Sequence, residues 1–179
     1  MPLDGWPFEM DAKEILYNFN EEEYGPDYKS HFVEMYKTYL EMTDRISSRR
    51  QSANNYFLSI NTALVGLIGY LQLGIKNCSD YYFLIALAGM ILCFIWYRLI
   101  KSYKGLNSGK FKIIHLIEKE LPISPYDAEW EIVGRGKNHA LYHPFTHVEM
   151  SVPWVFFSLH FFVLATSCPW NDFILKFVQ

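Results

Sequence analysis

The sequence predicts an all-α membrane protein built on a transmembrane helical hairpin. Three observations carry that prediction. Residues 56–75 and 81–100 form two apolar segments of about 20 residues, each long enough to cross a hydrocarbon core of about 30 Å. Only the polar stretch Lys76-Asn77-Cys78-Ser79-Asp80 separates them. Basic residues gather at the outer ends of the pair, Arg45, Arg49 and Arg50 before it and Arg98, Lys101 and Lys104 after it. By the positive-inside rule both ends are cytoplasmic and the turn lies outside.

With 179 residues, 51% of them hydrophobic, the chain suits one membrane-embedded domain with short appendages. The formal charge of −3 conceals segregation. Residues 1–27 set eight acids against the single base Lys13, whereas residues 98–112 hold five bases and no acid. The acidic start offers neither a basic n-region nor an apolar h-region, so the first span is expected to direct its own insertion.

In chain order, residues 1–27 read as an acidic arm, with a short amphipathic helix over 11–19 that presents Ile15, Leu16 and Phe19. Residues 28–101 form a long helix that runs into the hairpin. Asp27 is its expected N-cap after Pro26, and Phe32, Met35, Tyr36, Tyr39, Leu40, Thr43 and Ile46 give it one apolar face. No Pro or Gly interrupts residues 27–65.

Polar residues within the first span are ordered. Asn54, Asn61 and Gln72 are 7 and 11 residues apart, within about 20° of one line at about 100° per residue. Asn55, Ser59, Thr62, Gly66 and Gly69 form a second line about 100° round. Small residues let membrane helices approach closely, which makes Ser59, Thr62, Gly66 and Gly69 a packing surface. The amides must face protein or water, because an unpaired polar group in hydrocarbon costs a few kcal/mol. Asn54, Asn61 and Gln72 are therefore expected to line a pore or a subunit interface, or else to bond within the monomer's own bundle. The second span is more uniformly apolar, with Gly89 and Cys93 standing out and Trp96-Tyr97 marking an interfacial belt before Arg98.

Residues 102–149 are expected to be a cytoplasmic helical insert. Asn107 or Ser108 would cap its helix, Glu118, Lys119 and Glu120 would be exposed, and Pro122 would end it. Pro125-Tyr126-Asp127 starts another turn, and 134–138 reads as a flexible basic loop. Residues 150–179 carry a third apolar helix from Val152 to about Cys168, capped by Ser151 with Pro153 in its first turn. At about 17 residues it is short for a span.

Composition and motifs exclude several classes of chemistry. Cys78, Cys93 and Cys168 are too scattered for a disulfide framework or a zinc site. No phosphate-binding Gly-rich loop, nucleophile elbow or His-Glu-x-x-His is present. No cofactor or metal is expected. His139, His143 and His147 are four apart, but Pro144 interrupts the helix that would align them. Arg135 and His139 resemble the Arg-x4-6-His motif of HEPN ribonucleases. The spacing here is Arg-x3-His, one residue short, and His143 overshoots. A non-enzyme is the expectation, with a membrane-tethered HEPN-like ribonuclease using Arg135 and His139 as the alternative.

Several spaced stretches carry a wider likeness. They are residues 44–57, Trp96-Tyr97-Arg98, Leu106-Asn107 with Lys110-Phe111, Glu118 with Leu121-Pro122, Glu129-Trp130, Thr146, Glu149 and Val152-Pro153. Together they resemble the RipA-type family of small octameric bacterial membrane proteins, and within it the membrane accessory proteins of subtype VI-B CRISPR systems. The resemblance implies a homo-octameric pore in the bacterial inner membrane. It would be multi-pass, with the amino terminus and insert cytoplasmic, and functionally linked to an RNA-guided ribonuclease. It implies antiviral defence strengthened by membrane depolarisation, with the lipid bilayer and further copies of the chain as partners and no DNA. A non-conducting membrane scaffold remains the other alternative.

Overall fold

The computed structural model describes residues 12–74, 79–136 and 145–167. Among them, all regular structure is helical: α1 Ala12–Leu16, α2 Glu21–Tyr24, α3 Tyr28–Gly74, α4 Ser79–Glu118, α5 Pro125–Ile132, a 3-10 turn Gly134–Gly136, and α6 Phe145–Ser167. The chain separates into two compact units, one from residues 12–47 and 105–136 and one from 48–104 and 145–167. Helices α3 and α4 contribute to both.

The 47-residue α3 is the uninterrupted helix that the sequence leads one to expect, beginning directly after Asp27. Two expectations are corrected. The insert has no helix of its own starting at Asn107 or Ser108, because α4 continues for 40 residues through both to Glu118. Gly105 and Gly109 each weaken a helix by about 1 kcal/mol, but neither breaks it, and burial of Ile114 and Ile117 offsets the penalty. Nor does the third apolar helix start at Val152. It begins at Phe145, spans 23 residues and holds Pro153 inside. Ser151 is not a cap; its hydroxyl donates to the Val148 carbonyl at 2.7 Å, within the helix.

Among the described residues, two helical stretches are long and apolar enough to cross a membrane, Tyr82–Glu118 and Val148–Ser167. The extra turns at the start of α6 bring the third segment to 20 residues, a full spanning length.

In the unit formed by 48–104 and 145–167, α3 and α4 run antiparallel and α6 runs with α3. The order of their hydrogen-bonded pairs requires this: Asn54 joins Trp96 and Glu149, and seven residues on Asn61 joins Cys93 and His160. The apolar core is Phe57, Trp96 and Ile100, with Leu92, Leu99, Met150, Val152 and Phe156 packed on it. Phe57 and Trp96 stack at 5.9 Å, and Phe156 closes on Trp96 at 6.3 Å. Large apolar side chains cover the outside of α4 and α6, among them Leu84, Ile91, Phe94, Trp154, Val155 and Phe162. Polar-inside and apolar-outside suits a lipid solvent.

The other unit is aromatic. The expected face of α3 is turned inward at Phe32, Tyr36, Tyr39, Leu40, Thr43 and Ile46, whereas Met35 is exposed. The arm folds as two short helices. Asn20 caps α2 in a capping box with Glu23, and Lys13 pairs with Glu120 at 3.0 Å. Tyr17, Phe32 and Tyr28 form a continuous stack.

Glu118 is the pivot of this unit and the third correction. It is not exposed but fully buried. Its carboxylate accepts from the Tyr36 hydroxyl and from the backbone N–H groups of Tyr126 and Asp127, each at 3.1 Å. Tyr126 and Asp127 lie in the first turn of α5, whose N-cap Ser124 makes no side-chain cap and whose first residue is Pro125. Glu118 thus satisfies the free donors of α5 from across the turn, where a negative charge is also favoured by the helix dipole. Ser124 instead donates its hydroxyl to the Glu118 carbonyl at 3.2 Å.

Candidate functional site

The candidate site is a polar seam through the 48–104 and 145–167 unit. At one end Arg50 faces Glu149 at 3.8 Å. Glu149 accepts from Asn54 Nδ2 at 3.0 Å, and Asn54 Oδ1 accepts from the Trp96 indole N–H at 2.9 Å. One residue from each of three helices therefore meets at Asn54. This gives the Trp96 indole the buried partner that it requires.

Two turns further along α3, Asn61 is completely buried. Its Nδ2 donates to the Phe57 carbonyl at 2.8 Å. Its Oδ1 accepts from Cys93 Sγ on α4 and from His160 Nε2 on α6, both at 3.2 Å. An amide oxygen only accepts, so both partners are donors and His160 carries a proton on Nε2. The other ring nitrogen, Nδ1, is buried without a partner. The ring lies in a slot in α4 that only glycine provides: a Cβ on Gly89 would stand 2.4 Å from it.

The two lines of polar and small residues on α3 have different fates. Asn54 and Asn61 of the amide line point into the chain's own bundle, which meets their hydrogen bonds, while Gln72 is exposed. The small line is the outward face. Ser59, Thr62 and Gly66 are exposed and Gly69 half-buried, and nothing lies within 4 Å of a Cβ placed on either glycine. The exposed Ser48, Ser52 and Asn55 extend the line. Ser48, Ser52, Asn55, Ser59, Thr62, Gly66 and Gly69 repeat at alternating steps of four and three, the spacing of a helix–helix seam.

Arg135 lies in the 3-10 turn after α5, in a left-handed conformation, φ 52°. Its guanidinium is engaged by Glu131 and, at 4.0 Å, by Asp127. Asn138, His139 and His143 lie outside the described residues, as does the side chain of His147, so the structure does not place Arg135 against any of them. Among the described residues no three potential ligands converge on a metal position.

Sequence reasoning missed His160, Glu149 and the role of Cys93. A lone histidine inside a 20-residue apolar run was the available signal, because a polar group there must find a partner on a facing helix.

The model of an octameric membrane protein family matches residues 33–169. The chain belongs to the octameric membrane protein family. No curated protein and no solved structure matches it. Membership indicates a membrane protein that self-assembles into octamers. The matched span holds every residue of the polar seam and of the outward α3 stripe, and it leaves out the arm helices α1 and α2.

Proposed function

We propose that the octamer forms a pore across the bacterial inner membrane and that its opening depolarises the cell, strengthening an RNA-targeting CRISPR defence. The observation that carries this is the outward stripe of α3. Polar and small residues at bilayer depth are costly against lipid, so this face turns to a neighbouring subunit or to water. The exposed faces of α4 and α6 are apolar and suit lipid. In a ring of eight copies, Gly66 and Gly69 admit close approach by the next subunit, while Asn55, Ser59, Thr62 and Gln72 are available to a lumen. Asn54 and Asn61 hold the subunit together and set the stripe's direction.

The chain crosses the membrane three times, with the basic ends of the hairpin in the cytoplasm. No nuclease step is assigned. Arg135 is held by Glu131 and Asp127, and its distance to His139 in sequence is one residue short of the HEPN spacing.

The test is a potential-sensitive dye in cells expressing the chain, read beside the mass of the solubilised particle. The double variant Ser59→Leu with Thr62→Leu is expected to abolish depolarisation, with the octamer either kept (lumen) or lost (seam). If it leaves both octamer and depolarisation unchanged, the pore wall is elsewhere and α3 does not face it.

A further inference from the structure

We infer that the aromatic cavity of the 12–47 and 105–136 unit binds a small organic ammonium ion. The cavity has a volume of about 240 Å³ and is walled by the rings of Tyr17, Tyr24, Tyr28, Phe32, Tyr36 and Tyr39. Ring faces carry negative quadrupole density, which attracts a cation placed over them. One ring of this wall already holds one: the ammonium of Lys110, a nearly buried lysine, stands 4.4 Å from the centroid of Tyr39.

Charge supplies the second, independent argument. Tyr36, a wall residue, donates to the carboxylate of Glu118. That carboxylate is fully buried, and its three hydrogen bonds come from neutral donors only. No described Lys, Arg or His forms an ion pair with it. A buried negative charge without a counter-ion thus lies one phenol ring behind the cavity wall. No basic residue lines the cavity among the described residues. An anion would meet repulsion from Glu118 and ring faces of the wrong sign, and a neutral apolar guest would leave the field unused. A methylated or primary ammonium satisfies both.

Two of the wall rings, Tyr17 and Tyr24, belong to the arm, which lies outside the family's matched span. Tyr28 and Phe32 also precede residue 33, so four of the six wall rings lie outside that span. The site does not depend on the pore proposal, since no wall residue belongs to the outward stripe.

The experiment uses the full chain in a non-ionic maltoside. Choline and its neutral isostere 3,3-dimethylbutan-1-ol are titrated by calorimetry and by saturation-transfer NMR. Choline is expected to bind at least about tenfold more tightly than the isostere, a difference of about 1.4 kcal/mol. Tyr24→Leu, a partly exposed ring, should weaken choline about fivefold and leave the isostere almost unchanged. Equal binding of the two probes, or no choline binding up to about 50 mM, overturns the inference. Repeating the choline titration in nanodiscs separates two sources of the same chemistry. If phosphatidylethanolamine discs suppress choline binding and phosphatidylglycerol discs do not, the natural guest is a lipid headgroup. If neither suppresses it, the guest is a free amine.

Discussion

Each of the two units is centred on a completely buried polar group, and the two groups differ in kind. At the centre of the 48–104 and 145–167 unit it is Asn61, a neutral amide joined to a neutral thiol and a neutral imidazole. In the 12–47 and 105–136 unit it is Glu118, a carboxylate joined to two backbone N–H groups and a phenol. With one unit in the bilayer and the other in water, as the proposed topology has them, the difference follows from the solvent of each unit. Within a bilayer a charge is costly from every side, so helices there are joined by groups that donate and accept without ionising. In water a carboxylate can be buried once backbone donors at a helix N-terminus replace its hydration. The two units solve the same problem, fixing three helical segments against one another, with the chemistry that each solvent allows.

The sharpest way to break the bilayer half of this comparison is to close the slot under His160. Gly89→Ala places a methyl group 2.4 Å from a fully buried ring. The expected cost is about 3 kcal/mol, at the upper end for overpacking. It would be read as loss of octamer on gel filtration of the solubilised particle. His160→Ala alone removes a hydrogen bond and leaves a void. The double variant Gly89→Ala with His160→Ala should be more stable than Gly89→Ala, because the clash is gone. Additive losses in the double variant would show that Gly89 and His160 do not meet.

The second test bears on the carboxylate half. Glu118→Gln keeps the shape but sets an amide NH2 against one of two backbone N–H donors and removes the charge that favours the start of α5. Loss of a charge-assisted bond with a buried donor left unmatched is expected to cost about 2–3 kcal/mol. Limited proteolysis should then cut between residues 119 and 132 in the variant and not in the parent. Equal protection of the two would mean that the turn is held by the Ser124 hydroxyl and not by the carboxylate.

These two centres also mark what the sequence could and could not say. Periodicity gave the helices and the two lines on α3, because one uninterrupted helix turns sequence spacing directly into angle. The start of α3 after Asp27 and the start of α5 at Pro125 were legible for the same local reason. Helix ends were read less well. Asn107 or Ser108 and Ser151 were read as helix caps, yet α4 and α6 run through all three, and the helix-weakening Gly105 and Gly109 do not stop α4, since tertiary burial outweighs a penalty of about 1 kcal/mol at a glycine. Partners were not legible. The angular reading put Asn54, Asn61 and Gln72 on one line, but which of them faces the bundle depends on where Glu149 and His160 arrive from, 95 and 99 residues away. Glu118 was read as exposed because the residues that satisfy it belong to a turn not yet formed in the sequence.

The smallest expected effect concerns the bond between Tyr36 and Glu118. Burial first, and then the hydrogen bond and charge of Glu118, push the Tyr36 hydroxyl up to about 12 from its ordinary 10.0. The neutral phenol is thus favoured in the folded state. The sign follows from proton counts. Below pH 10 the phenol is protonated in both states, and its contribution to stability is complete. Between pH 10 and 12 the unfolded chain releases the proton and the folded chain keeps it, so stability falls as pH rises. Tyr36→Phe removes this titration while keeping the ring against its neighbours. It also leaves Glu118 with only its two backbone donors, so the variant should be slightly less stable at pH 8. The stability gap between parent and variant should narrow as pH climbs from 10 towards 12, read by tyrosine-independent near-ultraviolet signals from Trp130. A gap that stays constant over that range would mean that Tyr36 is not held neutral by its surroundings, and the link from the aromatic wall to the buried carboxylate would be lost with it.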